Sequence, residues 1–131
     1  MRRGELLALK FKDISFSEQE IYVQRAVEEI AGEKLNYKKP KNDSSYRNIY
    51  VNDEVAEILR KLKKHHLKIS HADNLVFTFP DGSKIRPDYI TKKFKKILRK
   101  IKLGEHRFHD LRHTHATELL KAEVHPKVVQ E

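Results

Sequence analysis

The chain has 131 residues, with 28 Lys and Arg against 19 Asp and Glu, a formal net charge of +9, and neither Cys nor Trp. That length predicts one domain, which at this size buries roughly two-thirds of its unfolded surface around a single core. The absence of cysteine removes disulfide scaffolds, thiol nucleophiles and Cys-based zinc fingers. Apolar runs such as Leu6, Leu7, Ala8 and Leu9 fall far short of the ~20 residues that cross a bilayer. Glu5 and Lys10 interrupt anything resembling a signal peptide, so the expected location is the cytoplasm.

Taken in chain order, Arg3 to about Lys10 reads as a short helix with Leu6, Leu7 and Leu9 on its apolar side. No Ser, Thr, Asp or Asn precedes it, so its own start is expected upstream. From Glu20 to Val51 the signals are those of strands. Ile21 and Val23 alternate, Gly32 marks a turn, Leu35 and Tyr37 alternate, and Tyr46 to Val51 is rich in β-formers. This predicts a three-stranded antiparallel meander, with the lysine-rich connection from Lys38 to Ser45 projecting into solvent. Asp53 is expected to cap a helix whose apolar stripe is Val55, Ile58, Leu59 and Leu62. Leu75 to Phe79 reads as a brief extended segment closed by the Pro80, Asp81, Gly82 turn. A third helix runs from near Asp88 to about Ile101, with Ile90, Phe94, Ile97 and Ile101 as its stripe. A fourth begins near His109 and passes Leu119 and Leu120, and Pro126 opens another. The class is α+β, mostly helical with a small three-stranded antiparallel sheet.

Positive charge concentrates between Lys84 and Arg107, where ten basic residues face two acidic ones. Such a surface favours a polyanion, because each phosphate neutralised by Lys or Arg releases condensed counterions. Lys92, Lys93, Lys96 and Lys100 on the third helix, and Arg47 after the lysine-rich connection, are the candidate DNA contacts.

Three clusters carry possible chemistry. Arg2-Arg3-Gly4-Glu5 at a helix start suits an anionic oxygen, although alone it also fits a solvated basic terminus. Lys41, in Lys39-Pro40-Lys41-Asn42, sits on a turn from which an ammonium can protonate a departing oxygen; alone it also fits a soluble hairpin tip. In His109-Asp110-Leu111-Arg112-His113-Thr114-His115, helical spacing brings His109 beside Arg112 and His113 and turns Leu111 toward the core. The same spacing admits a zinc-dependent hydrolase using His109 and His113, with Asp110 where a metalloprotease helix has glutamate. Aspartate is one methylene short for that role, no third ligand follows, and Arg112 opposes a cation there.

In order and approximate spacing, these stretches resemble the catalytic domain of the tyrosine recombinases, the phage-integrase family. The matching residues are Met1-Arg2-Arg3-Gly4-Glu5-Leu6-Leu7-Ala8-Leu9, then Lys39-Pro40-Lys41 with Ser44, Ser45 and Arg47-Asn48-Ile49, then His109-Asp110-Leu111-Arg112-His113-Thr114. The resemblance implies that residues 1–131 are a partial catalytic domain, without the family's N-terminal DNA-clamping domain. It implies that Arg2 is the first catalytic arginine with Glu5 as its supporting acid, that Lys41 is the mobile hairpin lysine, and that His109 and Arg112 are the His-x-x-Arg pair. It also implies double-stranded DNA as substrate, self-association on DNA in the full-length protein, and strand cleavage through a 3′-phosphotyrosyl intermediate without metal or cofactor. The family's nucleophilic tyrosine follows a Gly-His element beyond the segment ending at Glu131. Tyr22, Tyr37, Tyr46, Tyr50 and Tyr89 all precede the His-x-x-Arg motif, so no nucleophile is expected in this chain, and binding without cleavage is the expected behaviour. The rival reading is a basic DNA-binding module with no organised active site.

Overall fold

In the computed structural model, residues 1–29, 35–38, 46–66, 74–123 and 125 are described. They fall into two compact units, Gly4–Pro87 and Met1–Arg3 with Asp88–Glu131. The lysine-rich connection after Lys38, the turn at Gly32 and the helix expected at Pro126 lie outside the described residues.

In the Gly4–Pro87 unit, helix α1 (Arg3–Leu7) is followed by a short 3₁₀ turn, Phe11–Asp13. The helix ends before Lys10 because the backbone there changes partners. Val76 donates its N–H to the Leu9 carbonyl at 2.9 Å and Lys10 bridges to Leu75, while the Lys10 N–H donates to Asp13 Oδ2 at 2.9 Å. The aliphatic side expected of α1 is present, with Leu7, Ala8 and Leu9 buried.

Among the described residues five strands follow: β1 (Ile14–Ser15), β2 (Glu20–Val23), β3 (Ala26–Glu28), β4 (Asn36–Lys38) and β5 (Arg47–Tyr50). The sheet has three antiparallel strands, but its order is β1-β2-β5, and β3 and β4 form a separate two-stranded ladder. The strands are therefore not the meander expected from the sequence: β2 pairs with β5 and not with β3 or β4, setting Ile21 opposite Ile49 and Val23 opposite Arg47. Ile21 and Val23 are buried with Ile14, Val27 and Val51.

Helix α2 spans Asp53–His66. Its cap is Asn52, whose Oδ1 accepts the Val55 N–H at 3.0 Å; Asp53, expected in that role, is the first helical residue. Ala56 and Leu59 are buried and Leu62 is half-covered, whereas Val55 and Ile58, expected in the same stripe, are exposed. Leu75 to Phe79 is extended through isolated bridges, Lys10 with Leu75 and Thr78 with Lys84. The turn after it is closed by the Gly82 N–H on the Phe79 carbonyl at 2.8 Å, with Gly82 at φ 83°. Two donors from Ser83, its hydroxyl and then its N–H, reach Asp81 Oδ1 and hold that carboxyl below its ordinary pKa.

In the other unit, α3 (Pro87–Lys100) opens on a proline, the residue suited to a first helical position. Leu98 is buried along it and Ile90 and Phe94 are half-covered, as expected of the latter two, while Ile97 and Ile101, also expected in the stripe, are exposed. The helix ends in a Schellman motif: Leu103 N–H reaches the Leu98 carbonyl at 3.1 Å and Lys102 N–H the Arg99 carbonyl at 3.2 Å, with Lys102 left-handed at φ 57°. Helix α4 (Asp110–Lys121) lies in the same unit. Among the described residues, no helix is long and apolar enough to cross a membrane.

Two substitutions test this packing. A Cβ on Gly4 would stand 2.6 Å from the Val27 carbonyl oxygen, so Gly4→Ala is expected to cost about 2 kcal/mol of unfolding free energy. Lys102→Gly relieves a left-handed non-glycine residue and is expected to add about 0.5–1 kcal/mol. Urea denaturation followed by circular dichroism measures both.

Candidate active site

Helix α4 begins from a turn whose polar groups are paired reciprocally. Asp110 Oδ2 accepts the Arg107 N–H at 2.7 Å, and the Asp110 N–H donates to the Arg107 carbonyl at 2.9 Å. Between them, the Phe108 ring meets Phe94 of α3 edge to face, with centroids 5.4 Å apart and planes at 83°. His109 is thereby set at the helix cap with φ −69° and ψ −24°. Its exposed imidazole lies edge to face with His113, centroids 4.7 Å apart. The Arg112 N–H donates to the His109 carbonyl at 3.0 Å, so the two residues share the first turn. Asp110, the base that a metalloprotease reading needs, is committed to the turn. Among the described residues, no group of three or more His, Cys, Asp or Glu side chains is placed to hold a metal ion.

Leu111 corrects the sequence expectation, being 51% exposed rather than facing the core. The half-covered positions of α4 include Arg112, Ala116 and Leu119, spaced by four and three, and this stripe runs through the arginine instead of its leucine neighbour. Thr114 and Thr117 turn their hydroxyls back onto the Asp110 and His113 carbonyls, each at 2.9 Å. Arg112 is thus a guanidinium on the covered side of a helix.

Arg2 is exposed and belongs to the same compact unit as His109 and Arg112. Its neighbour Arg3 donates to Thr91 Oγ1 on α3, which ties the N-terminal residues to that helix. Lys41 lies outside the described residues.

Two further expected site residues, Glu5 and Arg47, lie in the Gly4–Pro87 unit. Arg47 Nη2 and Nη1 donate to the Glu5 carboxylate at 2.8 and 3.3 Å, with side chains 10% and 6% exposed respectively. Glu5 thus accepts from Arg47, and Arg47, expected as a DNA contact, makes this pair within its unit. Strand period contained the signal, since Arg47 shares parity with Ile49, whose side faces inward. A second nearly buried acid, Asp13, pairs with Arg25.

On α3, Lys92 pairs with Asp88 at 3.2 Å, whereas Lys93, Lys96 and Lys100 are exposed and make no ion pair among the described residues. A pocket of about 130 Å³ at the end of this helix is lined by Leu98 and Leu103 under Lys95 and Arg99, but not by Arg2, His109 or Arg112. The chemistry-bearing residues therefore do not coincide with that cavity.

The Phage integrase family model matches residues 1–131. A tyrosine recombinase XerC-like protein of Caldanaerobacter subterraneus subsp. tengcongensis is 32% identical over 149 residues, covering 100% of this chain and 38% of its own length. The ICEBs1 integrase of Bacillus subtilis is 30% identical over 127 residues, covering 92% and 34%. The chain therefore spans little more than a third of these relatives. Among solved structures, the Tn1549 transposon integrase in complex with circular intermediate DNA superposes with a TM-score of 0.89 at 25% identity, covering 99% of this chain and 46% of that one. XerA recombinase shares the fold, with a TM-score of 0.78 at 22% identity over 98% of this chain and 42% of that one.

Removing one partner of a buried ion pair strands the other charge. Arg47→Ala is accordingly expected to cost about 3 kcal/mol, and Arg47→Met with Glu5→Gln together less than Arg47→Ala alone. Thermal or urea unfolding of the three variants is the measurement.

Proposed function

The chain belongs to the phage integrase family, and on that premise we propose that it forms part of the catalytic region of a site-specific DNA recombinase that cuts and rejoins DNA through a 3′-phosphotyrosyl link. The observation that carries this reading is the grouping of Arg2 with His109 and Arg112 in one compact unit, from opposite ends of the sequence. Their motifs occur in a chain that the family model matches from end to end. The relative solved with circular intermediate DNA supports DNA as the substrate; a duplex is the proposed form and the cytoplasm the proposed location.

A tyrosine oxygen attacks phosphorus, the bond to the 5′-oxygen breaks, and that oxygen leaves with a proton. Charge builds on the nonbridging oxygens as phosphorus becomes five-coordinate. Arg2 and Arg112, held beside those oxygens, stabilise that state more than the ground state. Lys41 supplies the proton to the leaving oxygen, and His109 hydrogen-bonds the phosphate or assists the transfer. Glu5 is the supporting acid of Arg2 and also accepts from Arg47. Lys92, Lys93, Lys96 and Lys100 hold the duplex by its phosphates. Self-association on DNA belongs to the full-length protein. All five tyrosines precede the His-x-x-Arg motif, so this chain binds DNA and leaves it uncut unless another chain supplies the nucleophile.

Orthovanadate, which adopts the five-coordinate geometry, tests the pocket. In titration calorimetry with duplex present, Arg112→Ala is expected to lower vanadate affinity at least tenfold while Lys96→Ala leaves it within about twofold. Equal affinity in wild type and Arg112→Ala would reject the active-site reading in favour of a basic DNA-binding module.

A further inference from the structure

Strand alternation gives the β1-β2-β5 sheet a covered side and an outward side. Ile21 and Val23 of β2 are buried, whereas Glu20 and Tyr22, which alternate with them, stand opposite Tyr50 and Asn48 of β5. Tyr50 is 70% exposed, more than any other large apolar or aromatic residue described. Hydrogen bonds hold these side chains in place. The Tyr50 hydroxyl donates to Gln19 Oε1 at 2.9 Å, and Gln19 Nε2 donates to Asp53. The Tyr22 hydroxyl donates to Glu18 Oε2 at 2.7 Å, and Asn48 Nδ2 to Glu20 Oε2 at 3.1 Å. Tyr22, and then Ser15, hold the Glu18 carboxyl below its ordinary pKa, so it stays ionised. The surface so formed is acidic in a basic chain. Glu18, Glu20 and Asp53 each accept from a neutral donor, and none makes an ion pair among the described residues, whereas Glu28, Glu57 and Glu118 each hold a lysine.

Charge decides what this side can take. Three carboxylates repel phosphate, which removes nucleic acid and anionic lipid. A second copy brings another +9 with it, and two such charges repel. A cationic segment of a different protein suits both features, since an ammonium or guanidinium over a tyrosine ring is attracted by the ring and by a carboxylate beside it. Tyrosine offers that contact area at the entropic cost of only two torsions. We propose that the outward side of the β1-β2-β5 sheet docks a lysine- or arginine-rich segment of a partner protein, with Tyr22 and Tyr50 as flat supports and Glu18, Glu20 and Asp53 as counter-charges. The attraction is local: in about 0.1 M salt a charge acts over about 10 Å, so the segment meets these carboxylates rather than the net charge of the chain. No residue with a role in the recombinase reading lies among them, and the inference stands apart from it.

The test titrates the protein into a fluorescein-labelled peptide of alternating Arg and Gly, about 12 residues long, followed by anisotropy in about 0.1 M salt. Saturable binding is expected. Glu18→Gln together with Glu20→Gln is expected to weaken it about fivefold. Tyr50→Ala is expected to weaken it about threefold, with Tyr50→Phe staying within about twofold of wild type because the ring is kept. The glutamine and phenylalanine replacements preserve side-chain volume on an exposed surface, so the result does not depend on the alanine variant folding. A chain of this net charge gives a cationic peptide no general attraction, so the absence of an anisotropy change up to about 200 µM protein overturns the proposal. Binding that survives the double glutamine variant unchanged overturns it too, as does a Phe variant as weak as the Ala variant. Sedimentation equilibrium of the protein alone separates the rival occupant. A monomer is expected, and a dimer dissolved by Glu18→Gln with Glu20→Gln assigns the surface to a second copy and rejects the partner segment.

Discussion

The seating of α1 in the Gly4–Pro87 unit rests on the nearly buried fork between Arg47 and Glu5. A carboxylate and a guanidinium leave water together, and two N–H groups meeting two oxygens return much of the desolvation cost in a geometry that tolerates little rotation. Such a pair adds little to net stability compared with apolar side chains of the same volume, yet it selects one docking of helix on strand over its neighbours. Gly4 adds a steric condition, since the Val27 carbonyl oxygen occupies the place a side chain would take. The aliphatic residues Leu7, Ala8 and Leu9 then supply the cohesion. Orientation comes from polar and steric constraints, and adhesion from apolar ones.

The same division explains what could be read from the sequence. Helices α2, α3 and α4 were legible because amphipathic spacing and termini are local properties. Leu59, Leu62, Ile90 and Phe94 were read on the covered side correctly, whereas Val55, Ile58, Ile97 and Ile101 were read there because they are large and apolar, and the small Ala56 was passed over. The strands at Ile21, Tyr37 and Ile49 were equally visible, but their partners were not. Pairing β2 with β5 across the intervening hairpin is a nonlocal choice, and β1, at two residues, is too short for any alternation.

At the site, the residue types and their order along the chain were legible as a resemblance, and the family match bears out the family. The partnerships were not. Glu5 seats Arg47, Asp110 folds the turn ahead of His109, and Arg112 takes the covered stripe that Leu111 was expected to occupy. Each depends on which way a side chain turns once the backbone is built. Parity in β5 is the exception: counting by twos from Ile49 turns Arg47 inward on the strand period alone.

Helix α4 carries its own consequence. None of its residues is fully covered, and both threonine hydroxyls are spent on its own carbonyls, so little tertiary contact resists its opening. Its amides should therefore exchange with solvent well before those of the β2–β5 ladder. A duplex engaging Arg112 would slow that exchange, making the order of this one segment a measure of occupancy.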